Sequence, residues 1–181
     1  MRLDVFMAVG GYDVGFTANE DADLDARIGR TGGRIWLADD LALEYYPRRT
    51  TAALFRQYVR YGQGRAMTVA RHGGPRKLRQ TLPLAIAPMV GLALLVPLYG
   101  PACLPALAYA TLCFGYGMTL RRQGAPCSAG AGYPAMVMHV AWSVGYWRQL
   151  LGGKRPGSVP APLLFGIQSA SSRARAGSAS I

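Results

Sequence analysis

The apolar positions divide the chain into a mixed N-terminal part and an almost purely apolar middle. From Leu82 to Leu120 no charged, amide or histidine side chain occurs. That run is long enough for two membrane-spanning helices of about 20 residues each. They are placed at 82–98 and 102–120, with Tyr99-Gly100-Pro101 as the turn between them. Pro83, Pro88 and Pro97 are tolerated in lipid, where neighbouring groups satisfy the freed backbone. A third apolar segment, 129–147, just reaches spanning length. Spanning would put Arg148, Lys154 and Arg155 on the outer side, against the positive-inside trend. A third span and a re-entrant or interfacial helix therefore both stay open. His139 lies in this segment, as a functional candidate or as a satisfied packing residue.

The N-terminal part carries shorter periods. Asn19 is suited to cap a helix with its side-chain oxygen. Glu20 and Asp21 follow where the positive end of the helix dipole favours carboxylates. Leu24 and Ile28 give that helix one apolar stripe, and Gly32-Gly33 ends it. Arg34 to Ala38 alternates like a strand. Asp39-Asp40 makes a turn, and Leu41 to Tyr46 reads as a second strand ended by Pro47. Thr50 or Thr51 caps a further helix running to about Tyr61. Ala66 to Thr81 reads as a basic connector broken by glycine and proline, with His72 on its surface. From Gly153 the Gly/Ser/Ala/Pro/Arg composition predicts a disordered tail.

Charge sharpens this division. The chain has 20 Lys and Arg against 9 Asp and Glu, a net charge of +11. Arg65, Arg71, Arg76, Lys77 and Arg79 precede the first apolar run, and Arg121-Arg122 follow the second. Basic residues that flank spans point to membrane orientation. No interleaved aromatic and basic module points to nucleic acid, so none is expected as a partner. Cys103, Cys113 and Cys127 have no Cys-x-x-Cys spacing and read as small packing residues. Met1-Arg2-Leu3-Asp4 does not open a signal-peptide apolar run.

The stretch Gly10-Gly11-Tyr12-Asp13, then Asn19-Glu20-Asp21-Ala22-Asp23-Leu24, then Arg30-Thr31-Gly32-Gly33-Arg34-Ile35-Trp36-Leu37 resembles the acceptor-side half of family 2 glycosyltransferases. It is most similar to the membrane-bound succinoglycan type, which builds exopolysaccharide. Gln57-x-x-Arg60-Tyr61 is similar to the Gln-x-x-Arg-Trp motif of polysaccharide synthases, with tyrosine in place of tryptophan. That departure favours transfer of a single sugar over processive polymerisation.

The resemblance implies a fold and a set of roles. The fold would be an α/β fragment, the C-terminal part of a GT-A-like nucleotide-sugar transferase domain, followed by an α-helical transmembrane region. Residues 1–80 would be a partial catalytic domain with an interfacial helix, 81–150 the transmembrane region and 151–181 the tail. Asp21 would be the catalytic base of an inverting transfer from a nucleotide-sugar to a lipid-linked acceptor. Gly10, Gly11, Glu20, Gln57, Arg60 and Tyr61 would bind substrate. Gly10 and Gly11 would do so by close backbone approach, and Arg60 by its paired charge-assisted hydrogen bonds to diphosphate. Mg²⁺ or Mn²⁺ would be needed by the full enzyme, with ligands in an upstream half outside this chain. Asp21-Ala22-Asp23 and Asp23-Leu24-Asp25 spell Asp-x-Asp, but i and i+2 side chains on a helix diverge, and neither is read as a metal site. The chain alone is expected to be inactive, and the full enzyme to be multi-pass in the inner membrane with its catalytic part cytoplasmic. The alternative from the residues alone is a small non-enzymatic membrane protein that binds anionic lipid or a protein partner.

Overall fold

The computed structural model describes residues 2–16, 18–36, 42–73, 82–95, 100–122 and 126–153. Among the described residues six α-helices follow one another: α1 (Leu3–Ala8), α2 (Glu20–Arg30), α3 (Thr51–His72), α4 (Ile86–Leu95), α5 (Gly100–Arg122) and α6 (Gly132–Gly152). Short 3-10 turns at Leu82–Ala85 and Pro126–Ala131 lead into α4 and α6.

The long helix α3 organises the rest. Thr50 caps it as expected, its hydroxyl accepting the Ala53 N–H at 3.2 Å. It does not stop near Tyr61 but runs on to His72. Gly62 and Gly64 look like breakers in sequence, because glycine costs roughly 1 kcal/mol in a helix interior. Here each is a seat for another segment. A Cβ on Gly62 would strike the Trp142 backbone of α6, and one on Gly145 of α6 would strike the Val59 backbone of α3. The two helices approach so closely that only glycine fits. Tyr133 Oη donates to Thr51 Oγ1 at 3.3 Å where both helices begin, so α3 and α6 run in the same sense.

Two further ties complete the helical layer. Ser143 of α6 is fully buried; its hydroxyl accepts the Ala87 N–H at 3.1 Å and donates to the Leu84 carbonyl at 3.0 Å. Trp147 Nε1 donates to the same carbonyl at 2.8 Å. The helix α5 packs antiparallel to α6, with Tyr109 opposite His139 and Phe114 against Gly132. On the other side of α3, Val9, Leu24 and Ile28 form a small core with Val5 and Phe6 around it.

The expected α/β architecture is not what forms. All regular structure among the described residues is helical, and none of them forms a strand or sheet. Residues 34–36 and 42–48 run without regular structure, and 37–41, with the expected Asp39-Asp40 turn, lie outside the described residues. A strand needs a neighbour to fill its ladder of N–H and C=O groups. Neither segment finds one among the described residues, and Trp36 and Leu43 stand 91% and 95% exposed. The alternation in this stretch marks apolar side chains without making a sheet.

Of the expected spans, α5 is the helix among the described residues that is long and apolar enough to cross a membrane, over Cys103–Arg122. Leu104, Leu107, Leu112 and Phe114 lie exposed on it, so it is not the core helix of a globular domain. The described part of the first expected span, Leu82–Leu95, is a 3-10 turn and a ten-residue helix. Ten helical residues cover about 15 Å, roughly half the hydrocarbon thickness. Residues 96–98 and the expected tail from 154 lie outside the described residues.

The glycine seats can be tested. Gly145→Val is expected to cost more than about 3 kcal/mol, because backbone rather than a flexible side chain blocks it. Gly115→Ala, where a Cβ meets open space inside α5, is expected to raise stability by about 0.5–1 kcal/mol, the helix-interior cost of glycine. Thermal unfolding of the two variants in detergent, followed by circular dichroism, separates them.

Candidate active site

The helix α2 begins where it was expected, but its start is built differently. Asn19 occupies the cap position with φ 63 and ψ 26, and its side chain makes no cap hydrogen bond. It is the non-glycine residue with positive φ among the described residues. Asparagine tolerates this left-handed conformation better than most residues. The chain turns sharply there because Gly64 lets α3 touch it: a Cβ on Gly64 would strike the Ala18 carbonyl. The turn therefore opens α2 beside the α3 residues that line the same cleft as Glu20 and Asp21. The end of α2 follows expectation, with Gly32 at φ 78 and the Gly33 N–H donating to the Ile28 carbonyl at 3.0 Å.

Glu20 and Asp21 open onto a cleft of about 1480 Å³ between α2, α3 and α6. Gln57, Arg60 and Tyr61 of α3 line the same cleft. So five of the seven residues expected from sequence stand around one cavity. Gly10 and Gly11 do not line it. Both have positive φ, 83 and 67, and the turn they make presents backbone carbonyls to Arg27.

Further residues complete the cleft, His139 among them, which was a functional candidate in the sequence. Arg48, Arg56 and Arg65 join Arg60 on its walls. Their period along α3 was readable, but their convergence with Arg48 was not. Met138, His139, Trp142 and Pro83 supply a more apolar side. His139 Nδ1 lies 2.7 Å from the Tyr109 hydroxyl of α5. Gln57 works as a junction: its Nε2 donates to Tyr61 Oη at 2.7 Å and to Tyr45 Oη at 3.3 Å, and its Oε1 accepts from Arg48 Nε at 3.1 Å. The segment 42–48 is held to α3 this way.

The carboxylates differ in what they are free to do. Asp13 faces the cleft, yet its Oδ1 accepts the Gly15 N–H at 2.7 Å and its Oδ2 pairs with Arg71 at 2.6 Å. The Gly15 amide and the Arg71 guanidinium together hold its pKa below the usual carboxylate value, against the opposing pull of burial. Asp21 is exposed and lines the cleft, and its Oδ1 accepts the Ala22 N–H at 2.8 Å. Among the described residues no cluster of three or more His, Cys, Asp or Glu side chains could hold a metal ion. Asp13 is committed elsewhere, and Glu20 and Asp21 alone do not make a divalent site. The donor set does not fit a metal, and no step is derived through one.

Behind the cleft lies a buried ion-pair cluster. Asp23 is completely buried. Its Oδ2 accepts from Arg27 Nε at 2.9 Å, and its Oδ1 lies 3.1 Å from Arg71 NH1 and 2.7 Å from His72 Nε2. Arg27 also donates to the Val9 and Gly11 carbonyls. His72 is thus no surface residue: its side chain is 6% exposed and bound to Asp23. Burial pushes the Asp23 pKa up, but His72, Arg27 and Arg71 outweigh it and the net shift is downward. The Asp23–Arg27 spacing of four was a readable signal for a helical ion pair; Arg71 and His72 come from much further along the chain.

The comparison with known proteins now bears on this geometry. The chain is 47% identical over 156 residues to the succinoglycan biosynthesis protein ExoA of Rhizobium meliloti (strain 1021). The chain is a relative of a succinoglycan biosynthesis protein. The match covers 86% of this chain and 47% of that protein, so the chain spans about half the length of the curated relative it matches. No protein-family model and no solved structure matches it. The resemblance to the succinoglycan type is borne out by this relative.

The lowered pKa of Asp23 fixes the sign of an acid transition. A carboxyl whose folded pKa lies below its unfolded value of about 3.9 contributes stability above that pH. The contribution is lost as pH falls through the folded pKa. Asp23→Asn is expected to lower stability near neutral pH by about 3–5 kcal/mol, because Arg27 and Arg71 lose their buried partner. It is also expected to flatten the acid limb below about pH 4. Unfolding midpoints measured from about pH 7 down to about pH 2 for both proteins check both effects.

Proposed function

We propose that this chain is part of an inverting glycosyltransferase of exopolysaccharide synthesis, which moves a sugar from a nucleotide-sugar to a lipid-linked acceptor. The observation that carries the reading is the single cleft in which Asp21 and Glu20 face Gln57, Arg60 and Tyr61. The relative's role in succinoglycan biosynthesis supports it. So does the pairing of four arginines with an apolar flank, which suits a substrate with an anionic head and a lipid tail.

On this reading Asp21 Oδ2 accepts the proton of an acceptor hydroxyl as that oxygen attacks the anomeric carbon. The bond from that carbon to the diphosphate breaks with inversion, and the nucleoside diphosphate leaves with the electron pair. Arg60, with Arg48 and Arg56 near it, neutralises the charge that develops on the leaving diphosphate. Tyr61, held by Gln57, offers a ring for sugar stacking. Divalent metal would be held by residues outside this chain. The membrane helices keep the cleft at the level of the cytoplasmic headgroups of a bacterial inner membrane, where a lipid carrier presents its sugar. Positioning both substrates supplies roughly 7–11 kcal/mol in well-oriented reactions. A chain spanning about half of its relative is proposed to need the remainder, on the same or another polypeptide, for that term.

Transfer of labelled sugar from nucleotide-sugars to lipid acceptors in membranes tests the reading. This chain, a form extended to the length of its relative, and Asp21→Asn in that form would be compared. The extended form is expected to transfer, and Asp21→Asn to slow it by about 10²–10⁴-fold. Arg60→Ala is expected to reduce transfer efficiency by at least about tenfold, the loss of one charge-assisted hydrogen bond. Transfer unaffected by Asp21→Asn would remove Asp21 as the base.

A further inference from the structure

We infer that Arg71 is a positioning residue that registers the carboxylate wall of the cleft against its arginine wall. The inference rests on the reading of Asp21 as base, and it concerns a residue that touches no substrate. It starts from one nitrogen. Arg71 NH1 lies 2.6 Å from Asp13 Oδ2 and 3.1 Å from Asp23 Oδ1. A single donor thus ties the Gly10–Phe16 loop to α2, and it does so from α3, the helix that carries Gln57, Arg60 and Tyr61.

The geometry makes this tie directional. Asp23 stands two residues beyond Asp21 on α2, and residues so spaced point to opposite sides of a helix. Holding Asp23 in the buried cluster turns Asp21 outward to the cleft. Asp23 is fully buried and the Arg71 side chain is 3% exposed, so water does not compete for the contact. The Arg71 guanidinium also lies over the Phe16 ring, 4.7 Å from its centroid. Asp13 and Phe16, at either end of the short turn that walls the cleft, are therefore held by one side chain. Arg27 cannot replace it. Its contacts reach Asp23, Val9 and Gly11, all on the α1–α2 side, and none reaches α3.

Without Arg71, two carboxylates would face the same point with no bridging cation, and like charges at that spacing repel. The turn would move away from α2, and Asp21 would lose its fixed direction. Displacement of about 1 Å in a reacting group can lower a rate about 10²-fold. Because one nitrogen makes both contacts, lysine at position 71 would keep the bridge while losing the cover over Phe16.

Two measurements test this, and the first needs no activity. Hydrogen exchange of this chain in detergent is expected to be at least about tenfold faster at the amides of Phe16 and Ala22–Leu24 in Arg71→Met, with the α3–α6 contact around Val59 and Gly145 unchanged. Arg71→Lys is expected to restore most of the protection. Unchanged exchange at α2 would overturn the inference. The second measurement is a kinetic cycle in the form of the protein that transfers sugar. Arg71→Met is expected to lower kcat by about 10²-fold, with donor KM changed less than about threefold. It is expected to do almost nothing further in an Asp21→Asn background, because both changes act through the same carboxylate. Equal losses in both backgrounds would mean that Arg71 does not act through Asp21 and would overturn the inference. Asp13→Asn, which releases only the loop end of the tie at a part-exposed site, is expected to share the kcat loss and serves where Arg71→Met does not fold. If Asp21→Asn leaves transfer intact, the base reading fails, and the exchange result alone decides whether Arg71 orders the cleft wall.

Discussion

A carboxylate with no access to water constrains this structure more than any apolar contact does. Removing a charge from water costs several kcal/mol even after relaxation, and the partners must have good geometry to offset it. Asp23 meets that demand with Arg27 from its own helix and with Arg71 and His72 from the end of α3. Arg71 in turn is shared with Asp13. Two carboxylates and two guanidiniums balance in charge, and their pairing ties α2, the Gly10–Phe16 loop and α3 together. The neighbouring apolar core of Val9, Leu24 and Ile28 is small. Burying such side chains contributes roughly 1.5–3 kcal/mol each, but that force has no direction. Direction comes from the ion pairs.

The same contrast separates what was legible in the sequence from what was not. Local rules worked where the chain talks to itself. The Thr50 cap and the glycine stop of α2 are set by residues within five positions of one another. Gln57, Arg60 and Tyr61 are spaced to share one helix face, and all three line the cleft. The apolar run that became α5 was visible for the plainer reason that no polar residue interrupts it. Local rules failed where the partner is remote. The expected end of the helix near Tyr61 falls short because nothing nearby announces that the Trp142 and Ala18 backbones will rest on Gly62 and Gly64. His72 read as a surface residue because its partner, Asp23, lies 49 positions away. Asn19 was given a side-chain cap, yet contact with Gly64 turns its backbone into the left-handed region instead. The alternation over 34–46 suggested strands, but a strand is made by its neighbour and the described residues provide none.

Glycine does two opposite jobs here, and the distinction matters for the cleft. Gly32 supplies a backbone angle that ends a helix. Gly62, Gly64 and Gly145 lie in helices with ordinary angles and supply only the absence of a side chain. The second kind sets distances between walls: Gly62 and Gly145 fix how near α6 comes to α3, and Gly64 fixes how near the Asn19 turn comes. The width of the cleft is therefore determined by backbone contacts, which are stiffer than contacts between flexible side chains.

The cleft has two chemically unlike flanks because α3 sits between two unlike environments. One side of the helix meets α2 and the buried ion pairs. The other meets α6, whose Met138 and Trp142 enter the cleft and whose His139 reaches Tyr109 on α5. The outer surface of α5 remains uncovered and apolar. A lipid bilayer would cover that surface and, through the contact of α5 with α6, would end close to the apolar flank of the cleft. The arginines would then lie at or just beyond the headgroup level, where anionic groups are found. Were the chain to act on a wholly water-soluble substrate, neither the apolar flank nor its link to an uncovered helix would have a use. The proposed lipid-linked acceptor would account for both, and it would explain why a site built on charge is anchored to the one helix among the described residues long and apolar enough to cross a membrane.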